Sequence, residues 1–94
     1  MFRVLGLVMY KLYYTSRAKK DAQLIKSSNL KSKVEALLNL ITEQPYAYPP
    51  EFEVLKGDLK GALSRRINKQ HRLVYEVLEQ EQAIKVIMMW THYE

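Results

Sequence analysis

Between positions 53 and 75 the chain alternates apolar and basic residues around two glycines, which limits what it can fold into. Leu63, Arg65 and Ile67 alternate with Ala62, Ser64 and Arg66. After a polar break at 68–70, Leu73, Tyr75 and Val77 alternate with Arg72, Val74 and Glu76. Successive side chains of a strand point to opposite faces, so this spacing predicts β-structure with two unlike faces. The same stretch carries Lys56, Lys60, Arg65, Arg66, Lys69 and Arg72 against one internal acid, Asp58. Cations at period two share a face and can converge on one anion, so the reading is a basic hairpin that holds a polyanion. Alternation sets Arg65 and Arg66 on opposite faces. It aligns Arg66 with Arg72 only in one hairpin register, which sequence alone leaves open.

The rest of the chain supplies elements to pack against that hairpin. Residues 10–14 are rich in β-formers and predict a short opening strand. Thr15 and Ser16 offer N-cap hydroxyls, followed by a helix over 16–26 with Ala18, Ala22 and Ile25 on one face. Its charged residues Arg17, Lys19, Lys20 and Asp21 read as a wet outer face. After a polar break at 27–29, Leu30, Val34, Leu37, Leu38 and Ile41 recur at amphipathic helical spacing, giving a second helix over 30–43. Pro45, Pro49 and Pro50 end it and stiffen the connection. Strands are expected over 52–56, 62–67, 71–78 and 83–90, with a turn at Gly57 and Gly61 and another at 79–82. Helices followed by a run of antiparallel strands is an α+β pattern, with two N-terminal helices on one face of a mainly antiparallel sheet.

Ninety-four residues suit one domain with a modest core, here read as 1–94. The net charge of +5 favours an anionic partner: nucleic acid, a membrane surface or an acidic protein. With no cysteine there are no disulfides or thiolate zinc sites, and a reducing cytoplasm is the default. The two histidines, His71 and His92, lie too far apart in sequence to suggest a metal site, and no cofactor is expected. No run approaches the ~20 apolar residues of a membrane span. Residues 1–8 are apolar but too short for a signal peptide, and read as an N-terminal extension or an added strand.

RNA can be cut by side chains alone. A base takes the 2′-OH proton, the alkoxide attacks the adjacent phosphate, an acid protonates the departing 5′-oxygen, and cations stabilise the charge that develops. The candidates are Glu51 and Glu53, His71 and His92, Arg65, Arg66 and Arg72, and Tyr93. Each has an ordinary explanation: carboxylates and lysines are usually solvated, and a histidine near a chain end is usually frayed.

The segment Leu55-Lys56, Leu59, Gly61, Ser64-Arg65-Arg66-Ile67 and His71-Arg72-Leu73-Val74-Tyr75, with the late pair His92-Tyr93, resembles the hallmark stretch of YoeB/Txe-type toxins of the RelE/ParE superfamily. The resemblance spans roughly 10–93. It implies a microbial-ribonuclease-like, RelE-type fold and a type II toxin that cleaves mRNA in the ribosomal A site without a metal. Carried over by position, Glu53 would be the general base, His92 the general acid and Arg72 the group stabilising the transition state. Lys56 and Arg66 would assist, and Tyr93 would shape or stack on the substrate. His71, by hydrogen-bonding the turn, and Arg65 would be structural. The family glutamate commonly sits between prolines, whereas Glu53 lies between Phe52 and Val54 with Glu51 nearby, so both carboxylates stay candidates for the base.

The implied partners are a YefM/Axe-like antitoxin, acidic where it binds, together with the 70S ribosome and mRNA. Operator DNA would be met only through the antitoxin complex, a homodimer is left open, and no membrane contact is expected. Two other classes compete. A non-catalytic gyrase inhibitor of the ParE type does not need Glu53, Arg72 and His92 together. A plain RNA-binding module needs stacking aromatics on its basic face, and most tyrosines lie elsewhere, at 10–14 and 46–48.

Overall fold

The computed structural model describes residues 9–90. The proposed N-terminal extension, 1–8, and the pair His92-Tyr93 lie outside the described residues. The elements follow one another as β1 (Lys11–Tyr14), α1 (Ser16–Lys26), α2 (Lys31–Glu43), β2 (Phe52–Val54), β3 (Leu63–Arg66), β4 (Arg72–Leu78) and β5 (Ala83–Met88). A single helical turn, Gly57–Leu59, links β2 to β3, and a second, Glu79–Glu81, links β4 to β5.

The five strands form one sheet in the order β1-β5-β4-β3-β2. β1 runs parallel to β5, and the other three pairings are antiparallel. This is the α+β arrangement expected from the sequence, with β1 as the parallel strand. The strands end one or two residues inside the expected limits, because pairing stops where the chain turns.

Local chemistry accounts for the helices. The Thr15 hydroxyl oxygen accepts from the Ala18 N–H at 3.0 Å, the N-cap bond expected there, and the hydroxyl donates to the Ile87 carbonyl at 2.8 Å. One side chain thus starts α1 and fastens it to β5. Between the helices, Ser28 Oγ accepts from the Leu30 N–H at 3.0 Å. At the far end of α2, Pro45 cannot continue the ladder, and the chain leaves after Gln44. The link from β2 to β3 needs two residues at positive φ, and Gly57 (76°) and Gly61 (90°) provide them.

The core lies between the helices and the sheet. Ala18 and Ile25 of α1 and Val34, Leu37 and Ile41 of α2 pack with Leu63, Leu73, Tyr75, Ile84 and Val86. Full burial of each of these valine, leucine and isoleucine side chains is worth about 1.5–3 kcal/mol. Leu55, Ala62 and Val74, backed by Leu59, Ile87 and Met88, make a smaller cluster separate from it. One expectation fails here: Asp21 is not on a wet face but is 4% exposed. Position 21 falls on the buried stripe with Ala18 and Ile25, and what makes a carboxylate tolerable there is the set of donors that meets it.

Candidate functional site

The register answers the question that alternation left open. Arg66 of β3 pairs directly with Arg72 of β4, and Ser64 stands opposite both Glu53 of β2 and Val74 of β4. By strand alternation Glu53, Ser64, Arg66 and Arg72 therefore share one face of the sheet, whereas Phe52, Arg65, Leu73 and Tyr75 share the opposite, core-lining face. With Tyr48, Glu51 and Phe52, the first four line a cleft of about 210 Å³.

Arg72 is the centre of this cleft. Its Nη1 donates to Ser64 Oγ at 3.3 Å and lies 3.7 Å from Glu53 Oε1. Ser64 is 1% exposed, so it forms a fixed floor under a guanidinium that reaches toward solvent. The Glu53 side chain is 69% exposed, and its pairing with Arg72 therefore contributes little to stability. Directly opposed like charges on adjacent strands repel, so the Arg66–Arg72 pair is a disfavoured arrangement that an anion between them would relieve. A carboxylate on one side and two guanidiniums on the other can remove a proton and stabilise charge on the same small group.

Arg65 points the other way, as alternation requires, and is fully buried. Its Nε donates to the Tyr75 hydroxyl at 2.8 Å, Nη2 donates to the carbonyls of Ala47 (2.8 Å) and Pro45 (3.2 Å), and Nη1 donates to the Pro50 carbonyl. The Tyr75 hydroxyl donates in turn to the Pro45 carbonyl at 2.7 Å. Burial raises the Tyr75 pKa against the opposing influence of the Arg65 charge, so the phenol stays protonated and keeps this bond. The guanidinium carbon also lies 4.9 Å from the Phe52 ring centroid and 5.9 Å from that of Tyr75. Arg65 thus carries the structural, backbone-contacting role that the resemblance implied, and what it holds is the 44–51 loop that walls the cleft.

A second tie holds the same loop. Tyr46 and Tyr10 each donate to one oxygen of Glu79, both at 2.9 Å. Desolvation, then the hydrogen bond to Glu79, pushes the Tyr46 pKa up to about 12. It remains a donor throughout the physiological range.

The end of β5 is gripped from two sides. Asp21 Oδ2 accepts from the N–H groups of Met89 (2.9 Å) and Trp90 (3.2 Å), while Arg17 pairs with the same carboxylate at 3.3 Å. The His71 ring stacks on Trp90 with centroids 4.3 Å apart. His71 braces the turn through its main chain: its carbonyl accepts from Ile67 and Asn68, and Asn68 Oδ1 accepts from its N–H at 2.6 Å. The turn-holding side chain is therefore Asn68, and the imidazole packs. We expect Asp21→Ala to cost about 1–3 kcal/mol, as two amides at a strand end lose their acceptor. Faster hydrogen exchange at Met89 and Trp90, with most of the protection restored in Asp21→Asn, is the check.

Glu53, Arg66 and Arg72 come together, and Glu51 joins them on the wall. Lys56 is exposed just past β2, outside the cleft lining. His92 and Tyr93 lie outside the described residues. Sequence reasoning missed three contributors. Ser64 could have been found from its alternation with Arg66, and Asp21 from its helical spacing to Ala18 and Ile25. Tyr48, set aside with the distant tyrosines, is on the cleft wall, where only the fold of the proline loop could put it. Among the described residues no group of three His, Cys, Asp or Glu is placed to hold a metal ion.

The architecture has counterparts among known proteins. The chain is 35% identical over 74 residues, 79% of its length and 77% of the relative's, to Toxin YoeB of Synechocystis sp.. The solved YoeB/ParE toxin from Agrobacterium tumefaciens superposes with a TM-score of 0.80 at 33% identity, covering 88% of this chain and 99% of that one. YoeB in the YoeB-YefM complex from Staphylococcus aureus gives a TM-score of 0.76 at 31% identity, covering 89% and 98%. The family model for the YoeB-like toxin of the bacterial type II toxin-antitoxin system matches residues 13–93. The chain therefore belongs to the YoeB-like toxins of bacterial type II toxin–antitoxin systems.

Proposed function

We propose that this toxin is a ribosome-dependent endoribonuclease that cuts mRNA in the A site and thereby stops translation. The observation that carries this reading is the Glu53 carboxylate beside Arg72, over a floor where Arg66 and Arg72 are paired. A patch that only bound a polyanion would gain nothing from an acid at its centre, because the carboxylate repels the phosphates. An acid in that position is useful when it removes a proton.

In this mechanism Glu53 takes the proton of the 2′-OH, the oxygen attacks phosphorus, and the bond to the 5′-oxygen breaks. A 2′,3′-cyclic phosphate and a free 5′-hydroxyl result. Arg72, with Arg66 beside it, stabilises the charge on the non-bridging oxygens, and Lys56, just past β2, assists. His92 returns a proton to the leaving oxygen, and Tyr93 shapes the substrate. The path of the chain supports His92 in this role. β5 ends at Met88, opposite Val74, and its antiparallel course leads toward the Arg72 end of β4. Stacking of Trp90 on His71, the residue before Arg72, fits that course.

An antitoxin with an acidic binding segment is the matching regulator, its C-terminal segment lying over the Arg66, Arg72 and His92 surface. A cytoplasmic location is consistent with this; among the described residues no helix is long and apolar enough to cross a membrane. The gyrase-inhibitor alternative has no use for the Glu53–Arg72 pair.

Primer extension on mRNA from cells expressing the wild-type toxin beside His92→Ala tests the reading. Cuts confined to A-site codons, and lost by about 10²-fold or more in the variant, are the expected result. Equal cutting by both proteins would remove His92 from the mechanism, and no cutting by the wild type would remove the mechanism.

A further inference from the structure

We propose that Tyr48 is a stacking platform for a nucleobase of single-stranded RNA, seating the base of a nucleotide whose phosphate lies on Arg66 and Arg72. The proposal rests on the ribonuclease reading for its substrate class, and its own support is geometric. Tyr48 lines the same cleft as Glu53, Ser64, Arg66 and Arg72. It is 64% exposed, the highest value among the large hydrophobic side chains of the described surface. It meets Phe52 edge to face, with centroids 5.6 Å apart and planes at 80°. In either sense of such a pair, at least one face of the Tyr48 ring is left uncovered by Phe52.

An aromatic ring beside phosphate-binding cations is the combination by which proteins hold single strands, since every base presents a π-face and every nucleotide a phosphate. A stacking platform also has to be rigid, because ordering a mobile loop would offset the stacking gain. The 44–51 loop meets that requirement. Arg65 donates to the carbonyls of Pro45, Ala47 and Pro50, on both sides of Tyr48, and Tyr46 is tied to Glu79. Phe52, the ring Tyr48 leans on, is itself packed against the Arg65 guanidinium. The buried arginine therefore fixes both the backbone that carries Tyr48 and the ring that supports it.

Adenine, with a two-ring face, should stack best. The test is a double-mutant cycle read by fluorescence anisotropy. Labelled adenine-rich single-stranded RNA, and the same strand made abasic, are titrated with wild type, Tyr48→Ala and Tyr48→Phe. Wild type and Tyr48→Phe should bind the intact strand about tenfold more tightly than the abasic one. Tyr48→Ala should bind both with the abasic affinity, and its thermal midpoint should be close to that of the wild type. Discrimination that survives in Tyr48→Ala, or that is lost in Tyr48→Phe, overturns the proposal. The same preparations are assayed for ribosome-dependent cleavage. A cycle that holds in a protein that never cuts mRNA would sink the ribonuclease reading and leave the stacking site standing. Cutting that is normal, with no coupling to Tyr48, would do the reverse.

Discussion

Replacing Arg72 with alanine is expected to lower ribosome-dependent mRNA cleavage by about 10²–10³-fold while leaving the fold nearly as stable as before. The size of the kinetic effect follows from removing one preorganised donor from a charge that exists only in the transition state. The small effect on stability follows from the surroundings of the side chain. Its partners are Ser64 and a largely exposed Glu53, and an exposed ion pair is worth about 0–1 kcal/mol. Loss of the Arg66–Arg72 repulsion offsets part of even that. Glu53→Ala should remove a comparable factor of activity by taking away the proposed base. Single-turnover cleavage on stalled ribosome complexes, with the variants compared by urea unfolding, separates the two quantities. Normal cleavage by both variants would sink the assignment, and loss confined to Glu51→Ala would transfer the base to the neighbouring carboxylate.

Arg65→Ala is expected to act in the opposite way, with a loss of about 3–4 kcal/mol of folding stability. The substitution removes a fully buried guanidinium and strands the carbonyls of Ala47 and Pro50 without their side-chain donor, while the Pro45 carbonyl keeps only the Tyr75 hydroxyl. It also leaves a cavity against Phe52 and Tyr75. For a chain of this size each kcal/mol shifts the thermal midpoint by about 4–8 °C, so a fall of more than about 12 °C should be seen. The urea midpoint should drop with little change in slope. Arg65→Lys should recover little of the loss, since an ammonium cannot donate in three directions from a planar fork. Activity should fall as well, because the loop that walls the cleft loses its anchor. A variant as stable as the wild type would show that the loop is held without this residue.

The two arginines are adjacent in sequence and of one type, yet their expected effects differ in kind. Strand alternation was enough to say that they face opposite ways. It could not say which face would be covered, because that depends on where α1 and α2 pack. The helices cover the face of Leu63, Leu73 and Tyr75, so Arg65 is buried and Arg66 is free to meet a ligand. Register was likewise out of reach, and it is what sets Arg66 against Arg72 and Glu53 against Ser64.

Much of the fold was legible because it is written in local pattern. The Thr15 cap, the amphipathic stripe of Val34, Leu37 and Ile41, the proline stop after α2 and the period-two runs of β3 and β4 each follow from interactions within a few residues. Asp21 shows the limit of that reading. Its charge spoke for solvent, and it is buried because the amides of Met89 and Trp90, far away in sequence, come to meet it. Tyr48 shows the same limit in the site, since the position of a proline-rich loop depends on a buried arginine from another strand.

The basic hairpin with which the sequence is most strongly marked was thus determined locally as to strand, alternation and charge. The family pattern over 55–75 supplied the toxin class, confirmed by the match over 13–93. Only the tertiary structure decided which of its cations reach the cleft, which one is spent on holding the loop, and which carboxylate lies beside Arg72. The physical reason is range: propensity and periodicity act between near neighbours, whereas burial and register are set by contacts between segments that meet only when the chain is folded.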